Sequence, residues 1–159
     1  VNSPSSKRAN QAIARMNYLH SKYRANGKIS EDDLLYTLSV FVTEPARFTA
    51  RYDWRPMNEM EVCASGVFWK SIGDAMQIEY KGRLSKAETG WKDGLEFWED
   101  IADWAKKYEV ENMKPNDTST EPARALIPMI TYWVPSFMQP FAKECVHTLI
   151  NDRIREAFK

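Results

Sequence analysis

Apolar residues recur every three or four positions almost from end to end of this chain, and nowhere do they alternate as a half-buried strand requires. That spacing confines the chain to helices packed on helices. Over residues 6–26, Ala9, Ile13, Met16, His20 and Tyr23 share one face, and Gly27 ends the helix as its C′ residue. Ser30 with Glu31, Asp32 and Asp33 caps a second helix bearing Leu34, Leu35, Leu38 and Phe41. Glu44-Pro45 is expected to break it, leaving a shorter helix over 46–52. Asn58, with Glu61 three residues on, starts a helix reaching about residue 78. That helix is apolar or small nearly all round from Val62 to Trp69, so it reads as the central one. Its Gly66 and Gly73 lie on one face, where a helix or ligand could approach the backbone.

A loop with Gly82 and Gly90 leads to a helix over 93–113, whose stripes are Leu95, Trp98, Ala102 and Ala105 beside Phe97, Ile101, Trp104 and Tyr108. Residues 114–120 read as a polar linker. From Ala125 to Ala142 there is no charge, while Pro128, Pro135 and Pro140 interrupt any single helix. The commoner reading of such a run is buried short helices; the other is a lipophilic wall or a membrane-dipping surface. A last helix over 141–158 aligns Val146, Leu149, Ile150, Ile154 and Phe158. The expectation is an all-α chain of one domain over 1–159.

At 159 residues the chain is long enough for one sizeable core. Its 22 basic and 22 acidic residues balance, which argues against a binder of nucleic acid. No stretch has the length and apolarity of a membrane span or a signal peptide, so peripheral contact is the membrane role left open. Cys63 and Cys145, both on helical patterns, are too few for a disulfide scaffold and favour an intracellular, reducing compartment. The opening, a few polar residues and then a helix, resembles that of a piece cut from a longer protein. Oligomeric state is not legible.

Phosphate loops, nucleophile elbows and paired Cys-x-x-Cys motifs are absent, and two histidines exclude a triple-histidine metal site. Glu144 and His147 form one Glu-x-x-His, but a di-iron site needs a second copy and none exists. His20 lies on an apolar stripe between Met16 and Tyr23. Such a histidine most often makes a hydrogen bond in a core. The functional alternative is an axial ligand to haem iron, with Met16, Asn17 and Arg24 at i−4, i−3 and i+4 lining the same pocket. Arg8, Arg15 and Lys22 could meet propionates, although solvated helix cations are commoner. Arg47, Arg51 and Arg55, around Tyr52 and Trp54, read as a solvated edge with cation–π contacts and ion pairs.

Two stretches, Arg15-Met-Asn-Tyr-Leu-His20-Ser-Lys-Tyr23 and Gly27-Lys-Ile-Ser-Glu-Asp-Asp33-Leu-Leu-Tyr-Thr-Leu38, resemble the mpaB-like and rubber-oxygenase catalytic-domain family. The similarity continues through Glu61-Val-Cys-Ala64, Trp69-Lys-Ser-Ile-Gly73 and Gly90-Trp-Lys-Asp-Gly94-Leu. The resemblance implies a globin-like all-α fold, haem b held by a histidine that maps onto His20, and O2-dependent cleavage of an isoprenoid C=C bond. Fungal members are bound to the endoplasmic reticulum and serve natural-product biosynthesis, so a cytoplasmic or reticulum-associated location follows. The family's distal acidic, arginine and threonine residues, on helices before the ligand helix, would fall before Val1. The resemblance therefore favours a haem-dependent oxygenase acting on a lipophilic small molecule, by oxidative cleavage or oxygenation. Phe41, Phe68 and Trp69 are candidate pocket walls. Two alternatives stay open: a redox-free scaffold that binds or shapes a lipophilic ligand, and a helical interaction domain.

Overall fold

The computed structural model describes residues 6–114, 117–150 and 155. Its helices are α1 (Lys7–Ala25), α2 (Glu31–Tyr52), α3 (Glu59–Ala75), α4 (Gly94–Asn112), α5 (Asp117–Ile130) and α6 (Gln139–Leu149), with a 3-10 turn at Ser136–Met138. Among the described residues there is no strand, and the chain is all-α. Two compact units are present, residues 1–106 and 107–159.

In the first unit the core is built by α2 and α4. Leu34, Leu35, Leu38 and Val42 project from α2 against Phe97 and Ile101 of α4, joined by Ile78 and Leu84 of the connecting segment. Burying these side chains supplies the main driving force of the unit, at about 1.5–3 kcal/mol for each large one. Tyr80 and Trp91 meet Phe97 edge-on, at 5.8 and 5.1 Å between ring centroids.

The connecting segment is held by one buried carboxylate. Asp100 accepts hydrogen bonds from the Ser85 amide (3.0 Å) and hydroxyl (2.6 Å), the Lys86 amide (2.9 Å) and the Trp91 indole (2.9 Å). Burial alone would raise the pKa of this carboxyl; the four donors outweigh it and hold it below the ordinary value.

The capping signals produce the expected starts. Ser30 and Asp33 form a capping box on α2, and Asn58 and Glu61 form one on α3. Gly27 takes φ +66° after α1.

Pro45 does not break α2, which runs through it. Proline removes its own N–H and crowds the preceding turn, freeing carbonyls there. One carbonyl of that turn, Val42 O, accepts the Trp98 indole N–H at 3.0 Å. The amide missing at Pro45 would have met Phe41 O, and burial of Leu38, Val42 and Thr43 in the core carries α2 through the interruption.

Nor is α3 central. Its buried residues are Gly66 and Gly73, while Val67 and Phe68 are exposed. A Cβ on Gly66 would stand 2.1 Å from the Gly94 carbonyl oxygen, and one on Gly94 would stand 2.1 Å from Cys63 O. The small residues of α3 therefore let two backbones cross, as their spacing suggested, and do not mark the middle of the core. The helix ends at Ala75, three residues short of the expected end, because Gln77 enters the left-handed region at φ +59°. The bond from Ile78 N to Gly73 O closes that turn at 3.1 Å.

In the second unit α5 starts at Asp117, so the polar linker is shorter than its composition suggests. Pro128 lies within α5, whereas Pro135 precedes the 3-10 turn and Pro140 sits in the first turn of α6. The charge-free run is not buried. Leu126, Met129, Ile130, Tyr132, Trp133, Phe137 and Phe141 are all exposed, and Thr131 is the buried residue among them. Short helices in a unit this small lack the mass to cover a second apolar face. Ile154 and Phe158, expected on the last helix, lie outside the described residues.

Candidate functional site

Residues 33, 37 and 41 follow one another at four-residue steps, so Asp33, Thr37 and Phe41 form a line along α2. That line, with Leu34 and Leu38, floors a cavity of about 550 Å³. Trp69, Ile72 and Met76 of α3 make a second wall, Ile29 and Ile78 contribute from the connections, and Met16 and His20 of α1 complete the lining. The volume falls within the range of ligand pockets, about 300–1,000 Å³.

No residue of α1 is buried, so burial of a core stripe does not hold it in place. Two polar ties do. Asn17 Nδ2 donates to Ala75 O at 2.9 Å. Arg24 pairs with Glu31 and reaches Gln77 O at 3.4 Å. Of the four residues the sequence nominates, Met16 and His20 therefore line the cavity, while Asn17 and Arg24 fasten the helix that carries them.

The His20 imidazole is half-buried. Among the described residues, no hydrogen bond or ion pair engages it. The common core histidine, tied to a neighbour, is not what α1 presents.

Asp33 is the one charged side chain of the lining. Its carboxylate accepts from the Ser30 amide at 2.9 Å and the Ser30 hydroxyl at 2.7 Å, so one group both caps α2 and lines the cavity. At the far end of the line Phe41 stacks on Trp69, 4.9 Å between centroids and 22° between planes, and Phe68 meets Trp69 edge-on at 5.1 Å. Phe68 supports this wall without lining the cavity. Asp33 and Thr37 escape a sequence reading that treats Asp33 only as a cap. Their four-residue spacing to Phe41 is the signal that would have exposed them.

A haem places two demands on these residues: a free axial donor beside an apolar slot, and partners for its propionates. His20 and the aliphatic and aromatic walls meet the first. No cation lines the cavity, so the propionates would have to face its open side. His20 is the residue that would hold the iron of such a group.

The groups that the sequence reading sets aside do not assemble into a site. Glu144 and His147 are exposed on α6, and among the described residues no three potential metal ligands cluster. Arg47 pairs with Glu44 at 2.8 Å and Arg55 with Glu61 at 2.7 Å, while Arg51 lies over the Tyr52 ring. The arginine edge is a surface network. A second cavity of about 430 Å³, lined by Asp74, Glu79, Lys81, Tyr80 and Trp91 among others, carries mixed charge, and the Tyr80 hydroxyl beside it is buried without a hydrogen-bond partner among the described residues.

Comparison with known proteins bears on the whole chain. Residues 2–159 match the family described as "ER-bound oxygenase mpaB/B'/Rubber oxygenase, catalytic domain". The chain is 40% identical over 156 residues to the ER-bound oxygenase mpaB of Penicillium roqueforti (strain FM164), covering 98% of this chain and 52% of that protein. It is 39% identical over 156 residues to the ER-bound oxygenase mpaB' of Penicillium brevicompactum, covering 98% of this chain and 37% of that protein. With mpaB of the same organism the identity is 44% over 122 residues, covering 77% of this chain and 31% of that one. The chain thus spans about half or less of the length of these relatives. No solved structure matches it. With the family matched across the full helical chain, His20 and its cavity included, the chain belongs to the mpaB/B' and rubber-oxygenase catalytic-domain family.

Proposed function

We propose that this chain belongs to a haem-dependent oxygenase in which His20 would hold the iron. The observation that carries the reading is the His20 imidazole, which makes no hydrogen bond or ion pair among the described residues and stands on the wall of an apolar cavity. Met16, Leu34, Leu38 and Ile72 supply nonpolar contact, and Asn17 and Arg24 hold α1 so that His20 stays on the wall. The bound haem would supply oxygen activation; the protein's part is to exclude water and to hold a lipophilic substrate. The stacked Phe41 and Trp69 suit an unsaturated, isoprenoid-like chain, whose C=C bond is cleaved or oxygenated. A globin-like arrangement of the complete domain, a fungal source and association with the endoplasmic reticulum, as in the relatives' names, belong to the same proposal.

Asp33 favours a second reading. A carboxylate on an otherwise apolar wall suits a neutral or cationic lipophile bound without redox chemistry.

Haem titration of the purified chain, followed by absorption, separates the two. The oxygenase reading expects a one-to-one haem band that is lost in His20→Ala, with helical circular dichroism unchanged. No band, or the same band in the variant, overturns it. Thermal stabilisation by an apolar alkene in the absence of any haem band supports the second reading.

A further inference from the structure

Polar and aromatic groups stand at opposite ends of the cavity that His20 lines. The groove between α2 and α3 runs from Asp33, in the first turn of α2, to Phe41, eight residues on. At the Asp33 end α1 is tied to Ala75 O, where α3 closes, and to Glu31, where α2 begins. His20 lies between the two tied residues of α1. At the other end Phe41 and Trp69 come from opposite walls and meet face to face, 4.9 Å between centroids and 22° between planes. Rings in such contact leave no room for a chain between them, so the walls close there. Phe68, edge-on to Trp69 at 5.1 Å, backs the pair.

We infer that Asp33 and the Phe41–Trp69 stack set the specificity of this cavity: the Asp33 end takes a head group that donates hydrogen bonds, and the stack limits the length of the tail. Asp33 and Thr37 can only accept. One is a carboxylate, and the hydroxyl of the other has committed its proton to Asp33 O at 2.8 Å. Both are exposed, so a head group held there keeps contact with water while its tail is buried. An alcohol or an amine supplies the proton that this end lacks. A carboxylate or phosphate brings like charge to Asp33 and loses affinity.

The helix sets the length. At 1.5 Å per residue, Asp33 to Phe41 spans about 12 Å. An extended chain advances about 1.2 Å per bond, so a tail meets the stack after about ten bonds. Carbons beyond that stay outside the cavity and gain nothing from burial. The inference rests on the cavity holding a lipophile, which both readings above share, and it adds which head is taken and how long a tail fits.

Calorimetric titration of the purified full chain at neutral pH with geraniol, geranic acid, farnesol and geranylgeraniol is the test. Geraniol and geranic acid share a tail and differ in the head. The alcohol is expected to bind about tenfold more tightly, and Asp33→Asn to abolish that preference. Ser30→Ala, which weakens the same helix cap and leaves the charge in place, should keep it. Among the alcohols, wild-type affinity should level off past geraniol, whereas in Phe41→Ala geranylgeraniol gains about tenfold over geraniol. Helical circular dichroism should be unchanged in each variant. Four results overturn the inference and leave the lipophile reading standing: equal binding of alcohol and acid, a preference that survives Asp33→Asn, affinity that climbs steadily with length in wild type, or levelling unchanged in Phe41→Ala. Binding by none of the four compounds overturns both.

Discussion

Two stretches of this chain carry the same pattern and meet opposite fates. In α2, Leu34, Leu35, Leu38 and Val42 recur at helical spacing and are buried against Phe97 and Ile101. In the second unit Leu126, Met129, Ile130, Trp133, Phe137 and Phe141 recur at the same steps and face outward. Periodicity reports which residues share a face. It does not report what covers that face. The difference lies in the partner: α4 brings the large side chains Phe97 and Ile101 to α2, and among the described residues the stripe after residue 125 has no such counterpart of its own.

Substitutions can break or sharpen this contrast. The largest effect should come from Gly66→Val, which drives a side chain into the backbone of Gly94 where no side chain can yield. A loss on the order of 4 kcal/mol is expected in urea unfolding, the range reserved for a specific structural fault. Leu35→Ala, which opens a hole in the α2–α4 core, should cost about 3 kcal/mol by the same measurement. Asp100→Asn follows at about 2 kcal/mol, because an amide cannot accept all four bonds that the carboxylate receives. At the other extreme Phe141→Ser should change stability by no more than about 0.5 kcal/mol. A cost for Phe141→Ser equal to that of Leu35→Ala would abolish the contrast.

Acid offers a subtler probe. The Arg55 guanidinium, with the Asn58 backbone, lowers the Glu61 carboxyl from 4.5 to about 2. A folded-state pKa below the unfolded one means stability present above pH 4.5 and lost as pH falls toward 2. Asp100, also lowered, contributes with the same sign. Stability measured across that window should decline on acidification, and Asp100→Asn should flatten the decline. Residues 126–141 contain no titrating carboxylate and take no part in it.

Much of the first unit is legible in the sequence because its signals are local. Ser30 with Asp33, Asn58 with Glu61, and Gly27 each act within a few residues, and each does what its type dictates. What escapes a sequence reading is nonlocal. Pro45 reads as a stop, yet α2 runs through it with its buried face packed against residues of α4 more than fifty positions away. Asp100 reads as one more helix acid until a loop 14 and 15 residues before it folds back onto the carboxylate. His20 is visible as the odd polar residue on an apolar stripe, and family resemblance gives it a role. Its cavity partner Asp33 is hidden because capping already explains its presence.

The fastening of α1 has a kinetic consequence. A helix that buries no residue and is held by Asn17 and Arg24 should open at far lower free energy than α2, so its amides should exchange with deuterium first. Equal protection of the two helices would contradict this. If α1 does release first, the wall that bears His20 can swing away while the α2–α4 core stays closed. Access to the cavity is then governed by two polar contacts rather than by the folding stability of the unit. Weakening Arg24 or Glu31 would speed exchange at that wall without loosening the core.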